Sequence, residues 1–585
     1  MYQMKLHKLG NWEYRGNLEC MLFFAQRLDE LLFYYSIDTY RYPVMSLESL
    51  CDEYIRTYHD VKQNIIGKSN LTCIFEEFIH LLSSDPVAIE ILTKSFVEKF
   101  EKQGQSWNDK DKFDYIGYIR RKLGNFTYYH GVVNLLKTNI KGNREKRLIN
   151  KYVSIFVRLL IDYGYDENYI YYILHKVFFH DKVDSYESLD IFFNVFDFKK
   201  KRYDVYIGFS RDISELMPLF QKMQSPKMEI AMVDLNNLPM GIKARRQRTV
   251  LEFKKIKSLD IYSAYTIVQE ISSVIVDAYG FYSHISDNIK TYGQVVDENK
   301  NITRVNKHDL LKYRVSALSC QNSNKYADNL LKLTFLSLKN LQEISKVTRI
   351  HNAAVASDNT SDSLLSLWSL LESLIEDDSD KIGNIKKIVG QFLKSAYVEK
   401  LITTIGNDIK RWNLDFYSEN ICRDSFGEND LEHTFAFIAF DSRDEKRKLL
   451  YSMTDEYPLL RYRVYFLNAQ MKNSKGIKSL ISEHVQRIVW HIQRIYRARN
   501  YIIHDGRRDD SVNQELVINL HSYVDTVFSC ILKLMNESPY RDSMNDSVVT
   551  HKIDIAIMDE HMEKQEKEKI DETNALKYLY YRIAI

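Results

Sequence analysis

Proline and glycine are scarce in this 585-residue chain, at 7 and 19 residues. Sandwiches, barrels and glycine-rich nucleotide loops all need frequent tight turns, so the shortage disfavours them and favours long helices. Cysteine is scarce too. Cys20, Cys51, Cys73, Cys320, Cys422 and Cys530 lie far apart with no C-x-x-C pair, which argues against a zinc ribbon and a disulfide scaffold and leaves reduced, structural thiols. Neither sign of charge prevails, with 81 Lys and Arg against 79 Asp and Glu, so no bulk field draws in a polyanion and any nucleic-acid site must be a local patch. Nowhere do about 18 apolar residues run without a charge. The opening stretch MYQMKLHKLGNWEYRGNLEC lacks the apolar core of a signal peptide, and the expectation is a cytoplasmic protein with no membrane partner.

What the chain does have is a hydrophobic fraction of 45%, ample for three or four packed domains of roughly 100–200 residues. Its 41 Tyr and 29 Phe read as helix packing rather than a stacking platform for bases. Residues 1–196 show helical spacing, as in LECMLFFAQRLDELLFYY, and are expected to form a helical N-terminal domain. RYDVYIGF and KMEIAMVDL then alternate like strands, placing a small mixed α/β element at about 197–240 within a 197–345 region that also carries a long helix. The capping-rich ASDNTSDS introduces LLSLWSLLESLIE and a helical bundle over 346–540, with a charged insertion at about 405–470. In the tail, 541–585, KIDIAIM alternates before a charged run, and an appended arm is expected. The fold class is mainly α.

Two apparent motifs fail. Gly67-Lys68-Ser69 imitates the end of a phosphate-binding loop, but Lys62 stands where the first glycine is required and the region reads as helix. His175 and His180 lie five apart, not at the four-residue step of metal ligands on one helix face. No carboxylate set has a clear metal spacing, and neither metal nor cofactor is expected. Lys243, Arg245, Arg246, Arg248 and Lys254, followed by Lys255 and Lys257, form the best local candidate for RNA phosphate contacts; a solvated face is the alternative.

One segment carries chemistry. In the helix beginning near Ile477, the inward stripe Ile481, Val485, Ile488, Ile492, Ile495, Arg499 and Ile502 puts an arginine in an apolar slot. A guanidinium facing a bundle core must be paired or open onto a functional cleft. His504 follows five residues later, then Asp505 and Gly506, a residue suited to ending the helix. A five-residue step in an unbroken helix turns about 500°, pointing His504 about 140° away from Arg499, so the helix is expected to loosen or stop between them. The bland reading is an Arg499 paired with Glu372 and a His504 that caps a helix. Arg494 and Arg497 either line an RNA path or are ordinary solvated arginines.

Arg499-Asn500-x-x-x-His504 resembles the R-x4–6-H signature of the HEPN superfamily, which Arg497 to His504 also matches, and the surrounding bundle fits that fold. Trp368 and Glu372, one turn apart in SLLSLWSLLESLIE, make the segment similar to the first helices of the Apea-like HEPN group of bacterial anti-phage proteins. The likeness covers about 346–536. It implies a metal-independent endoribonuclease, an abortive-infection effector, in which Arg499 stabilises charge on the phosphate, His504 moves the proton of the attacking 2′-hydroxyl and Asn500 orients them. Glu372 and Arg497 would support the site. A homodimer through the bundle, an RNA substrate with tRNA anticodon loops among the candidates, and a phage-derived trigger sensed by residues 1–345 are further implications. The competing reading is a non-catalytic helical module that binds RNA, a nucleotide or a partner protein; a metal-dependent nuclease near 197–240 is a third.

Overall fold

A computed structural model describes residues 6–13, 15–32, 43–143, 145–223, 228–236, 241–243, 247–283, 291–305, 338–357, 359–375, 381–505, 510–537, 544–565 and 567–582. The fold is mainly helical with one small antiparallel sheet, as composition predicts. The chain divides into two compact units. The larger combines residues 1–10 and 14–156 with 309–585, and the smaller holds 11–13 and 157–308. Residues 1–196 therefore do not stand apart as a domain: most of them share a unit with the C-terminal half.

Local chemistry explains the joining. In Glu19–Leu31, Cys20 through Ala25, Leu28 and Leu31 are all buried, and a helix apolar on every side needs partners all round. It finds one in Pro458–Met471, where Phe23 meets Tyr462 edge to face at 5.2 Å and Arg461 reaches Glu19 at 2.8 Å. The next helix, Leu47–Lys62, starts at a reciprocal cap: Ser46 Oγ accepts from Ser49 N–H and Ser49 Oγ from Ser46 N–H.

In the C-terminal part, Asn359 caps Thr360–Leu374 by accepting from Ser361 N–H at 2.9 Å, inside the polar run expected to do so. Two helices of 32 residues, Lys381–Trp412 and Ser474–Asp505, pack together. Gly390 is the close approach: a Cβ there would already touch Val485 at 3.5 Å. Between them, the 405–470 stretch folds into shorter helices around one core containing Phe416, Phe435, Phe437 and Leu460. The tail is no appended arm. Ile555, Met558, Met562, Tyr578 and Leu579 enter that same core, and KIDIAIM lies within the helix Met544–Lys564. The buried positions Val548, His551, Ile555, Met558 and Met562 step by three and four, whereas Ile553 and Ile557, which give the segment its strand-like alternation, are exposed.

The smaller unit holds a five-stranded antiparallel sheet of order β2-β3-β1-β4-β5, with β1 Lys201–Phe209, β2 Glu229–Met232, β3 Thr249–Ser258, β4 Thr291–Val296 and β5 Ile302–Val305. β1 and β2 match the expected strands. The other three extend the element well past residue 240, and the polar segment VDENKN forms the turn of the β4–β5 hairpin. The helix Ile261–Ser283 covers one face, and Gly293 permits it: a Cβ there would meet the Tyr265 ring at 2.1 Å.

Candidate functional site

The helix Ser474–Asp505 carries every residue expected to do chemistry at the C-terminal end. Ile481, Ile488, Ile492 and Ile495 are buried as the periodicity requires. From Trp490 to Arg497, however, burial extends to nearly every position, because helices of the N-terminal region pack on this stretch as well as those of the bundle. Arg494 and Arg497, expected in solvent, are each only 3% exposed. Such charges must be paired. Arg494 grips Glu53 through Nε at 2.9 Å and Nη2 at 2.8 Å, and its Nη2 also reaches Glu77 at 2.6 Å. Arg497 Nη2 donates to Glu53 Oε1, the oxygen that also accepts from Arg494 Nε, and one turn on Tyr501 donates to Asp60 at 2.6 Å.

The two carboxylates of this cluster respond in opposite directions. Burial alone would raise Glu53, but the guanidiniums of Arg494 and Arg497 beside it hold its carboxyl down at about 2. At Glu77 burial prevails: Arg494 offsets only part of it, the charge of Glu53 adds to it, and the carboxyl is pushed above its ordinary value. Arg494 is held even more firmly in its charged form than usual, since Glu53 and Glu77 outweigh its desolvation. Glu53 and Glu77 were not legible as partners, being more than 400 residues away in sequence.

Arg499 differs from both neighbours. It is half-buried, and its Nη1 donates to Asn500 Oδ1 at 3.0 Å; among the described residues other than 504–505 and 510–513, no carboxylate lies in salt-bridge range of it. Glu372 is not its anchor. That carboxylate accepts from Trp368 Nε1 at 2.7 Å and pairs with Lys381 at 3.2 Å. Trp368 is buried, with its ring 5.8 Å from that of Tyr496, one turn before Arg499. The helix neither loosens nor stops between Arg499 and His504, since it continues to Asp505. Along an unbroken helix the two positions are about 7.5 Å apart in rise and about 140° apart in phase. Both lie at the negative end of the helix dipole, where cationic side chains are favoured. The terminating Gly506 lies outside the described residues.

The expected basic patch belongs to the smaller unit. Arg245 and Arg246 lie outside the described residues. Lys243 is exposed, and its backbone N–H and carbonyl are fastened to the Gln294 side chain at 3.1 and 2.8 Å. Arg248 is exposed and donates its N–H to Phe209 O at 2.9 Å beside β3. Lys254 is matched by Glu252 at 3.1 Å, and Lys255 by Glu229. A bulge at Lys254–Lys255, opposite Asp204 on β1, sets Lys255 at φ +65° with its N–H on Asp204 Oδ1. Two cations of the patch, Lys254 and Lys255, are thus met by acids of the same sheet, and its other described members, Lys243, Arg248 and Lys257, are all exposed.

The His175–His180 segment forms a π-helical turn with the two imidazole centroids 6.2 Å apart. Lys68 of the discarded loop motif pairs with Asp109 at 2.7 Å. No helix among the described residues is long and apolar enough to cross a membrane. Comparison of the chain with protein-family models, curated proteins and solved structures found no match.

Proposed function

We propose that the chain is a metal-independent endoribonuclease whose cleavage centre is the Arg499, Asn500 and His504 segment. One observation carries the reading: of three arginines at the end of one helix, Arg494 and Arg497 are neutralised by carboxylates, while Arg499 is steadied by a neutral amide. No described carboxylate meets Arg499, and a guanidinium held in place without a counter-charge is suited to grasp an external phosphate through its planar fork. The imidazole of His504 would take the proton from a ribose 2′-hydroxyl as that oxygen attacks the adjacent phosphorus. The 5′-oxygen leaves with a proton from a second imidazole, the His504 of another copy of the chain, giving a 2′,3′-cyclic phosphate and a 5′-hydroxyl.

The unbroken helix sharpens this proposal. A phase difference of about 140° makes it awkward for one helix to present both groups to one linkage. Two copies related by a two-fold axis solve the problem, each supplying an arginine or a histidine to the other's phosphate, and also provide the acid and the base the reaction needs. The grip of Glu53 and Glu77 on the same helix just before Arg499 gives the N-terminal helices a lever on the centre. This supports a regulated effector, in line with an abortive-infection role set off by a phage-derived signal. Single-stranded RNA, tRNA anticodon loops included, is the favoured substrate, because unstacked nucleotides reach in-line geometry more readily than paired ones.

The test incubates purified protein, Arg499→Ala and His504→Ala with total RNA in the presence of chelator. Cleavage by the wild type, lost by about 10²–10⁴-fold in either variant, with 5′-hydroxyl ends on the products, is the expected result. Equal cleavage by all three, or binding of RNA without cleavage, would return the chain to the second reading, a helical RNA-binding module, which the unbroken helix between the two residues also favours.

A further inference from the structure

Away from the cleavage segment, the larger unit brings together three side chains that neither composition nor motif spacing singles out. His521 and Asp525 sit one turn apart on the helix Asp510–Glu537, and His351 faces them from Leu338–Ala356. The two Nε2 atoms of the histidines are 3.1 Å apart, His351 Nε2 is 3.3 Å from Asp525 Oδ1, and Asp525 Oδ2 is 3.2 Å from His521 Nδ1. One ligand atom from each residue lies within 4.8 Å of those of the other two. The His521 side chain is 5% exposed, while His351 and Asp525 open to solvent at 31% and 47%.

We infer that these three residues form a binding site for a divalent transition-metal ion of the zinc class. Two imidazoles and one carboxylate are a ligand set suited to zinc, cobalt or nickel. In a tetrahedral site with metal–nitrogen distances of about 2.0–2.1 Å, neighbouring donor atoms lie about 3.3 Å apart, close to the separations of His351 Nε2 from His521 Nε2 and from Asp525 Oδ1; His521 Nδ1 points to the second Asp525 oxygen and would not bind the ion. The i, i+4 step of His521 and Asp525 sets both on one helix face. Two nitrogen lone pairs at 3.1 Å repel unless a proton or a cation stands between them, and a divalent ion satisfies the carboxylate as well. Three protein donors leave a fourth position for water, on the side where His351 and Asp525 meet solvent. The ion would clamp the first helix of the C-terminal part to the last long helix of the bundle.

The test titrates metal-free full-length protein with Co2+ and with Zn2+. One equivalent of Co2+ per chain, an intense visible spectrum of tetrahedral type, and a rise in thermal midpoint with Zn2+ are expected, since an ion that binds only the folded state stabilises it. Asp525→Asn and His351→Ala, both at partly exposed positions, should retain the helical circular-dichroism spectrum while affinity falls at least about a hundredfold, loss of even an outer partner typically costing about 10–100-fold. Absence of a stoichiometric equivalent in the wild type overturns the assignment, as does undiminished binding by both variants. None of the three residues belongs to the proposed cleavage centre, so RNA cleavage by Asp525→Asn should match that of the wild type, and the two proposals stand or fall separately.

Discussion

Arg494 and Arg499 are five residues apart on one helix and carry the same group, yet they are set in opposite circumstances. Arg494 is 3% exposed and shared between two glutamates; Arg499 is half-buried and leans on an amide. Removing a charge from water costs several kcal/mol unless partners replace the lost hydration, so the carboxylates around Arg494 are what its burial demands. Arg499 keeps part of its hydration and needs no such partner, which leaves its charge available. Position along the helix thus separates a structural arginine from the one proposed to be functional, and the identity of the residue does not.

The sharpest way to break the comparison is to delete each guanidinium. Arg494→Ala leaves Glu53 and Glu77 buried beside a cavity, and a loss of about 3–5 kcal/mol in unfolding free energy is expected, measured by urea titration. Arg499→Ala should change stability by less than about 0.5 kcal/mol. Its effect should fall on RNA cleavage, lowered about 10²–10³-fold, as for removal of a preorganised charge-stabilising donor. Were Arg499→Ala to unfold the protein as readily as Arg494→Ala, the division between the two would be wrong.

Acid should act on the Arg494 cluster through Glu53. Its folded carboxyl titrates at about 2 against an ordinary 4.5, so its contribution is complete above pH 4.5 and is lost as pH falls towards 2. The shift corresponds to about 3 kcal/mol. Glu77 works the other way: its carboxyl is raised, so its contribution is present in acid and declines as pH rises through the folded value. Glu53→Gln should therefore destabilise far more than Glu77→Gln at neutral pH. The gap between wild type and Glu53→Gln should close as pH drops below 4.5, followed by urea midpoints across the acid range. A gap independent of pH would mean that Glu53 acts through packing and not through its charge.

These contrasts also show what a sequence can and cannot reveal. The helical class followed from scarce turn residues, and the buried stripe Ile481, Ile488, Ile492, Ile495 from its period, because both are local properties of the chain. The burial of Arg494 and Arg497 depends on a second layer of helices supplied by residues distant in sequence, and a helix reads as amphipathic until its polar side is also covered. β3 was hidden by its bulge: Leu251 and Phe253 keep the two-residue period, and Ile256 returns to the core only after the extra residue at Lys254–Lys255. The tail was misread for the reverse reason, since its exposed isoleucines alternate while its buried residues follow helical spacing. His351, His521 and Asp525 carried only a faint local mark, the four-residue step of the last two.

The smallest expected effect belongs to Glu372, the residue expected to support the proposed cleavage segment. Glu372 shares its helix face with Trp368, whose ring lies 5.8 Å from that of Tyr496, one turn before Arg499. Its contacts assign it elsewhere, to the Trp368 indole and to Lys381, whose side chain is 56% exposed. Glu372→Gln keeps an oxygen to accept from the indole and removes only a pairing in water, where such bridges contribute about 0–1 kcal/mol. Stability should fall by less than about 0.5 kcal/mol, and cleavage should stay within twofold of the wild type. A loss of cleavage of about tenfold, about 1.4 kcal/mol, at unchanged stability would show that Glu372 abandons Trp368 for Arg499 when RNA binds. The guanidinium at the end of the helix would then have a carboxylate after all, and the contrast with Arg494 would reduce to one of timing.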